Sequence, residues 1–204
     1  MKNKYIINFV IFYILSYAIF SFASTKFTPY LSKIGYSAFE RGIILSGYAA
    51  ATIVMQLLFG VLSDRYQTIK KIIIVSLCMY GIVSAVLFSA EKSVIAVYFV
   101  LVSLSGGLLN ACCGLYDTWI LGCHEEIRRH LSFIKAFGSI GWAVGSMAAS
   151  LVISLFSYRG LGISILAIAV LSLLNVALLP DIDRIGEKSK IAADDFKQLM
   201  TDGR

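Results

Sequence analysis

The sequence predicts an all-α membrane protein with six transmembrane helices, on three observations. The 204-residue chain is 58% hydrophobic and only 15% charged. Its apolar residues fall into six runs, each near the length needed to cross a bilayer. Its lysines and arginines cluster in the short polar stretches between those runs.

Soluble domains carry about 45–50% apolar and about 25% charged residues. A mean hydropathy of +0.81 places this chain well outside that class. The two prolines, Pro29 and Pro180, and the absence of low-complexity tracts exclude disorder over most of its length. The formal net charge of +6 raises nucleic acid as a partner. The placement of the basic residues excludes it, because they obey membrane topology and form no groove-binding surface.

A hydrocarbon core about 30 Å thick requires roughly 20 apolar residues in helix. The six runs cover residues 5–25, 42–63, 72–90, 94–122, 134–157 and 161–179. Open sheets cannot span lipid, since their edge amides would lack partners, and the alternating segments of a barrel are absent. Pro180 and Asp181 end the sixth run. Residues 1–180 therefore read as one membrane bundle, and 181–204 as a polar cytoplasmic tail. The opening run after Lys2 and Lys4 imitates a signal peptide, with Ser21-Phe22-Ala23-Ser24 resembling a cleavage site. The five later runs make it the first spanning helix instead.

Orientation follows from the basic residues. With the N-terminus inside, the cytoplasmic stretches and tail hold thirteen Lys and Arg, and the outside stretches hold five. That asymmetry predicts a multi-pass protein of the cell membrane with both termini cytoplasmic. Cys78, Cys112, Cys113 and Cys123 have no metal-site spacing and read as reduced packing residues. His124-Glu125-Glu126 with His130 lacks the four-residue histidine spacing of a zinc helix, so no metal site is predicted. No nucleophile triad or phosphate loop is present, and no enzyme activity is expected.

Two constellations carry the functional reading. The first joins the second and third runs: Gly60, Leu62, Asp64 and Arg65, then Lys70 and Lys71. Asp64 is placed just past a helix C-terminus, where an acid is unfavourable unless a cation or a helix N-terminus answers it. Gly60 removes a side chain and lets a neighbouring helix approach. Such a loop can latch two helices in one conformation and release them in another. A solvated basic loop that merely follows the topology rule fits the same residues.

The second constellation is Asp117 in the fourth run and Lys135 at the start of the fifth, followed by Trp142. Each charge lies nine positions from the midpoint of the connecting turn. Two antiparallel helices therefore hold an acid and a base at matching depth. A charge inside the membrane costs roughly 2.5–3.5 kcal/mol on insertion scales and faces a cavity or a partner. A purely structural salt bridge, or a Lys135 that snorkels to the cytoplasmic surface, also fits this spacing. Gly138, Gly141, Gly145 and Ala149 form a small-residue stripe expected to pack the fifth helix closely on a neighbour. Ser105, Gly106, Gly107, Asn110 and Gly114 read the same way for the fourth, and Gln56 as lining a cavity or bonding within the bundle.

The loop from Gly60 to Lys71 resembles the signature between helices two and three of the major facilitator superfamily. Gln67 and Thr68 stand where that family usually has glycine and arginine. The resemblance implies that Gly60, Asp64, Arg65, Lys70 and Lys71 stabilise one gating state. Asp117, Lys135 and Trp142 are similar in type and spacing to the lactose permease branch, the oligosaccharide–proton symporters. There a helix-four carboxylate and a helix-five cation bind sugar hydroxyls, and a tryptophan stacks on the ring. This chain has aspartate for glutamate and lysine for arginine.

The resemblance implies the N-terminal half of a twelve-helix fold, truncated or split. It implies secondary transport of a small solute, a sugar being one candidate, by alternating access. No cofactor is expected beyond a coupling proton. The expected partners are the lipid bilayer, a small-molecule substrate, and a second six-helix half or another copy of this chain. Efflux of drugs or metabolites, and a truncated membrane protein that transports nothing, are the alternatives.

Overall fold

A computed structural model describes residues 2–66, 68–90 and 94–182. Gln67, Lys92 and the tail from residue 183 onward lie outside the described residues. The order is α1 (Lys2–Ser24), α2 (Phe27–Lys33), α3 (Ala38–Tyr66), α4 (Lys70–Ser89), α5 (Ile95–Leu121), the single turn α6 (Glu125–Arg128) and α7 (Leu131–Ala177). Among the described residues, five helical stretches are long and apolar enough to cross a membrane, α1 and α2 counting as one.

α7 departs from the expected two runs, because it continues for 47 residues. At 1.5 Å per residue a straight helix of that length would measure about 70 Å, over twice the hydrocarbon core. It is not straight. Ser157 has φ 61° and ψ −173°, which breaks the helical path. The residues on either side pack with opposite sense. Going up the chain, Gly141 meets Ile14, Gly145 meets Ala18 and Ser21, and Lys26 donates to Ser150 at 2.8 Å, so 131–156 runs parallel to α1. Beyond the break Gly162 meets Ala85 while Leu166 and Ala169 meet Gly81, so 158–177 runs antiparallel to α4. The chain reverses at Ser157.

The glycine stripe on α7 does what its spacing predicts. A Cβ on Gly141 or Gly145 would collide with the backbone of α1, so these positions admit only hydrogen where the helices touch. Gly106 and Gly107 seat α5 against Tyr48, Ala51 and Met55 of α3 in the same way. Gly114 and Gly60 are corrections. A Cβ at either meets nothing within 4 Å, so neither serves helix packing inside this bundle.

Large aromatic side chains fill the centre. Phe9, Phe12, Tyr13, Phe20, Tyr80, Tyr116 and Trp119 are fully buried. Phe12–Tyr116 and Phe20–Tyr80 meet edge to face at 4.7 and 5.1 Å between centroids, the arrangement ring quadrupoles favour. A second aromatic cluster, Tyr30, Phe88, Tyr98 and Tyr158, closes the end of the bundle where α2, α4 and the Ser157 turn meet. Tyr30 and Tyr98 both donate their hydroxyls there to the carbonyl of Ala90.

Local chemistry sets the connection from α2 to α3. Gly35 takes φ 91°, a left-handed conformation that glycine adopts without steric cost. The Tyr36 amide then reaches back to Leu31 and the Gly35 amide to Ser32, the paired bonds of a Schellman stop. Ser37 and Glu40 form a reciprocal capping box at the start of α3. Asp64 and Arg65 belong to the last turn of α3, and Asp64 does not lie past its end.

Candidate substrate site

The spacing of eighteen residues between Asp117 and Lys135 is met in space. The Lys135 Nζ donates to Asp117 Oδ2 at 2.6 Å. α5 ends at Leu121, α6 makes the turn, and α7 begins at Leu131, so the two helices bring both charges to one level. The other carboxylate oxygen, Oδ1, accepts from the Tyr13 hydroxyl at 3.1 Å. Asp117 is thus held on both sides, by a cation from α7 and a phenol from α1. The pair is not sealed: the Lys135 and Asp117 side chains are 46% and 32% exposed. The hydroxyls of an incoming solute can therefore compete for the same oxygens and ammonium protons.

Aromatic rings continue the wall. Tyr13 stacks on Tyr17 with centroids 5.5 Å apart and planes 15° off parallel. Tyr17 meets Trp142 edge-on at 6.5 Å. Trp142 lies seven residues after Lys135 and so shares its face of α7. It is half-buried. The site therefore offers a charge pair beside two partly exposed rings, Tyr17 and Trp142, with Tyr13 buried behind them, the two kinds of surface that grip a hydroxylated ring.

Tyr13 and Tyr17 were missed as site residues by sequence reasoning. Their four-residue separation in an apolar run was a usable signal, since it puts two polar-tipped rings on one face of α1.

The predicted gating loop divides. Asp64, Arg65 and Lys71 are exposed, and Asp64 has no hydrogen bond or ion pair among the described residues. Lys70 instead serves the end of α7, where its ammonium donates to the carbonyls of Ala177 and Leu179 at 3.2 and 2.6 Å. Asp181 answers from the other side, accepting from the Thr68 hydroxyl at 2.8 Å and the Lys70 amide at 3.3 Å. Trp119 Nε1 donates to Pro180 O at 2.9 Å and completes this clasp. Gln56 is exposed on α3.

Residues 6–202 match the description of the MFS_1 like family. The chain belongs to that family. Membership agrees with the helical bundle and with the major facilitator resemblance of the loop from Gly60 to Lys71, and it makes the protein a multi-pass membrane protein. A relative from Escherichia coli (strain K12), "Putative nucleoside transporter YegT", is 25% identical over 129 residues. The match covers 63% of this chain and 30% of that relative's length.

Proposed function

We propose that this chain forms one six-helix wall of a transporter that moves a small, hydroxyl-rich solute across the cell membrane by alternating access, coupled to protons. The single observation that carries this reading is the half-open Asp117–Lys135 pair beside Tyr17 and Trp142. An intramembrane acid and base in contact, still reachable by a solute, suit binding of hydroxyls that both accept and donate. Asp117, Lys135 and Trp142 contact the solute, and Tyr13 positions the carboxylate. The likeness of these residues to the lactose permease branch favours a sugar. The likeness to the Escherichia coli relative, itself described as a "Putative nucleoside transporter", favours a nucleoside, which also carries a sugar ring.

In this reading α7 crosses the bilayer twice, reversing at Ser157, which gives six crossings and cytoplasmic ends. One six-helix bundle supplies one wall of a site that lies between two. The exposed apolar face of α3, with Ile53, Val54, Leu57, Leu58 and Val61, meets lipid or that second bundle. Gly60 and Asp64, open in this chain, face the same partner in one gating state.

The test is uptake into proteoliposomes under an imposed proton gradient, with the chain alone and with a second six-helix unit supplied separately. Accumulation of a sugar or nucleoside only in the second case supports the reading. Accumulation by the chain alone overturns the one-wall account, and no accumulation in either case overturns transport of these solutes.

A further inference from the structure

α5 carries a second polar group on the face that holds Asp117. Asn110 lies seven residues before it, about 10 Å along the same side of the helix. Between them are Cys113, which adjoins Tyr17, and Gly114, where an added Cβ would meet nothing within 4 Å. Gly114 therefore leaves an open gap on the helix face between two polar groups, Asp117 and Asn110.

The orientation of the Asn110 amide is fixed by its neighbours. Its Nδ2 lies 3.1 Å from Gly106 O, 2.9 Å from the Tyr48 hydroxyl and 3.3 Å from Thr52 Oγ1. A backbone carbonyl can only accept, so the atom facing Gly106 O must be the NH₂. Its two hydrogens are thereby occupied. The Oδ1 atom has no partner among the described residues, and the Tyr48 hydroxyl, accepting from Asn110, keeps its own proton to donate. Thr52 is engaged elsewhere, since it donates to Tyr48 O at 3.0 Å. What the cluster presents is one acceptor and one donor side by side.

Resting on the transport reading above, we propose that Asn110 Oδ1 and the Tyr48 hydroxyl form a second recognition station, with Gly114 as the side-chain-free floor between the stations. The site then selects an uncharged solute of two joined rings. One ring places hydroxyls on Asp117 and Lys135, and the other places a neighbouring donor and acceptor on Asn110 and Tyr48. Both a nucleoside base and a second sugar offer that pair. A solute of one ring fills only the Asp117 end.

The experiment is equilibrium binding of labelled uridine, lactose, ribose and galactose to membranes carrying the full chain together with the second six-helix unit. Asn110→Ala and Tyr48→Phe should each weaken the two-ring probe about tenfold, the scale of one lost hydrogen bond in a partly buried site, and leave one-ring probes unchanged. Gly114→Val should exclude the two-ring probe while keeping the wild-type melting temperature, because nothing in the bundle occupies that space. Loss in the uridine arm assigns the far ring to a base, and loss in the lactose arm assigns it to a sugar. Two-ring binding unchanged in all three variants, or one-ring binding reduced equally, overturns the second station alone. Binding of none of the four probes by the wild-type chain paired with that second unit overturns the station and the transport reading together.

Discussion

Lys70 and Asp181 tie two helix ends to each other in opposite directions. The Lys70 ammonium holds the carbonyls of Ala177 and Leu179 at the C-terminal end of α7. Asp181, just beyond that end, accepts from the first amide of α4. Each charge thus meets the helix terminus whose dipole it complements, a cation at carbonyls and an acid at amides. The clasp closes the end of the bundle where α4 begins and α5 and α7 finish.

Asp181→Ala should therefore loosen that end. Three hydrogen bonds to a charged group are lost, from the Thr68 hydroxyl and the Lys70 and Ile182 amides, and each is worth about 1.5–3 kcal/mol. The expected outcome is a lowered melting temperature of the reconstituted chain and faster amide exchange in the first turn of α4. An unchanged exchange pattern there would show the clasp to be incidental.

The charge pair should behave as a unit. Asp117→Ala leaves the Lys135 ammonium alone, and Lys135→Ala leaves the carboxylate with only Tyr13. Each single change should lower expression, and the double change should cost less than the sum, with a coupling of about 1–3 kcal/mol. Lys135→Arg keeps the charge and should be tolerated. Strict additivity in the thermal stability of the four proteins would contradict a direct pair.

Glycines should sort by the space around them. Gly141→Leu forces a side chain into the Ile14 backbone and should cost about 1–3 kcal/mol or prevent folding. Gly60→Ala, with nothing within 4 Å, should not lower the stability of this chain, because alanine also favours the helix over glycine. Thermal melts of both variants in the same membrane mimic check the contrast.

Orientation is open to chemical labelling. In a background without Cys78, Cys112, Cys113 and Cys123, Lys33→Cys should react with an impermeant maleimide from outside the cell. Lys71→Cys should react only after permeabilisation. The reverse pattern would invert the bundle.

Much of this was legible in the sequence, because hydropathy and charge act locally. Apolar runs fix the helices, and the spacing between Asp117 and Lys135 puts both at one depth about a short turn. The reversal inside α7 was legible as two runs, but its hinge was not. Ser157 is neither glycine nor proline, and its positive φ falls where α7 leaves α1 and turns onto α4. Asp181 read as a helix terminator because its partners, Thr68 and Lys70, are over a hundred residues away. Gly114 read as a packing residue because small residues in membrane helices usually are. Only the surrounding space distinguishes a contact from an open floor.

The central claim is that Asp117, Lys135 and Trp142 hold the transported solute. Its most direct test is equilibrium binding of labelled uridine and lactose to membranes carrying a second six-helix unit with the wild-type chain, Lys135→Arg, Trp142→Ala, or the double change Asp117→Ala with Lys135→Ala. The account predicts binding by the wild-type and Lys135→Arg chains, and a loss of at least about tenfold in the other two. Equal binding by the wild-type chain and the double variant would contradict it and reduce the pair to a structural salt bridge.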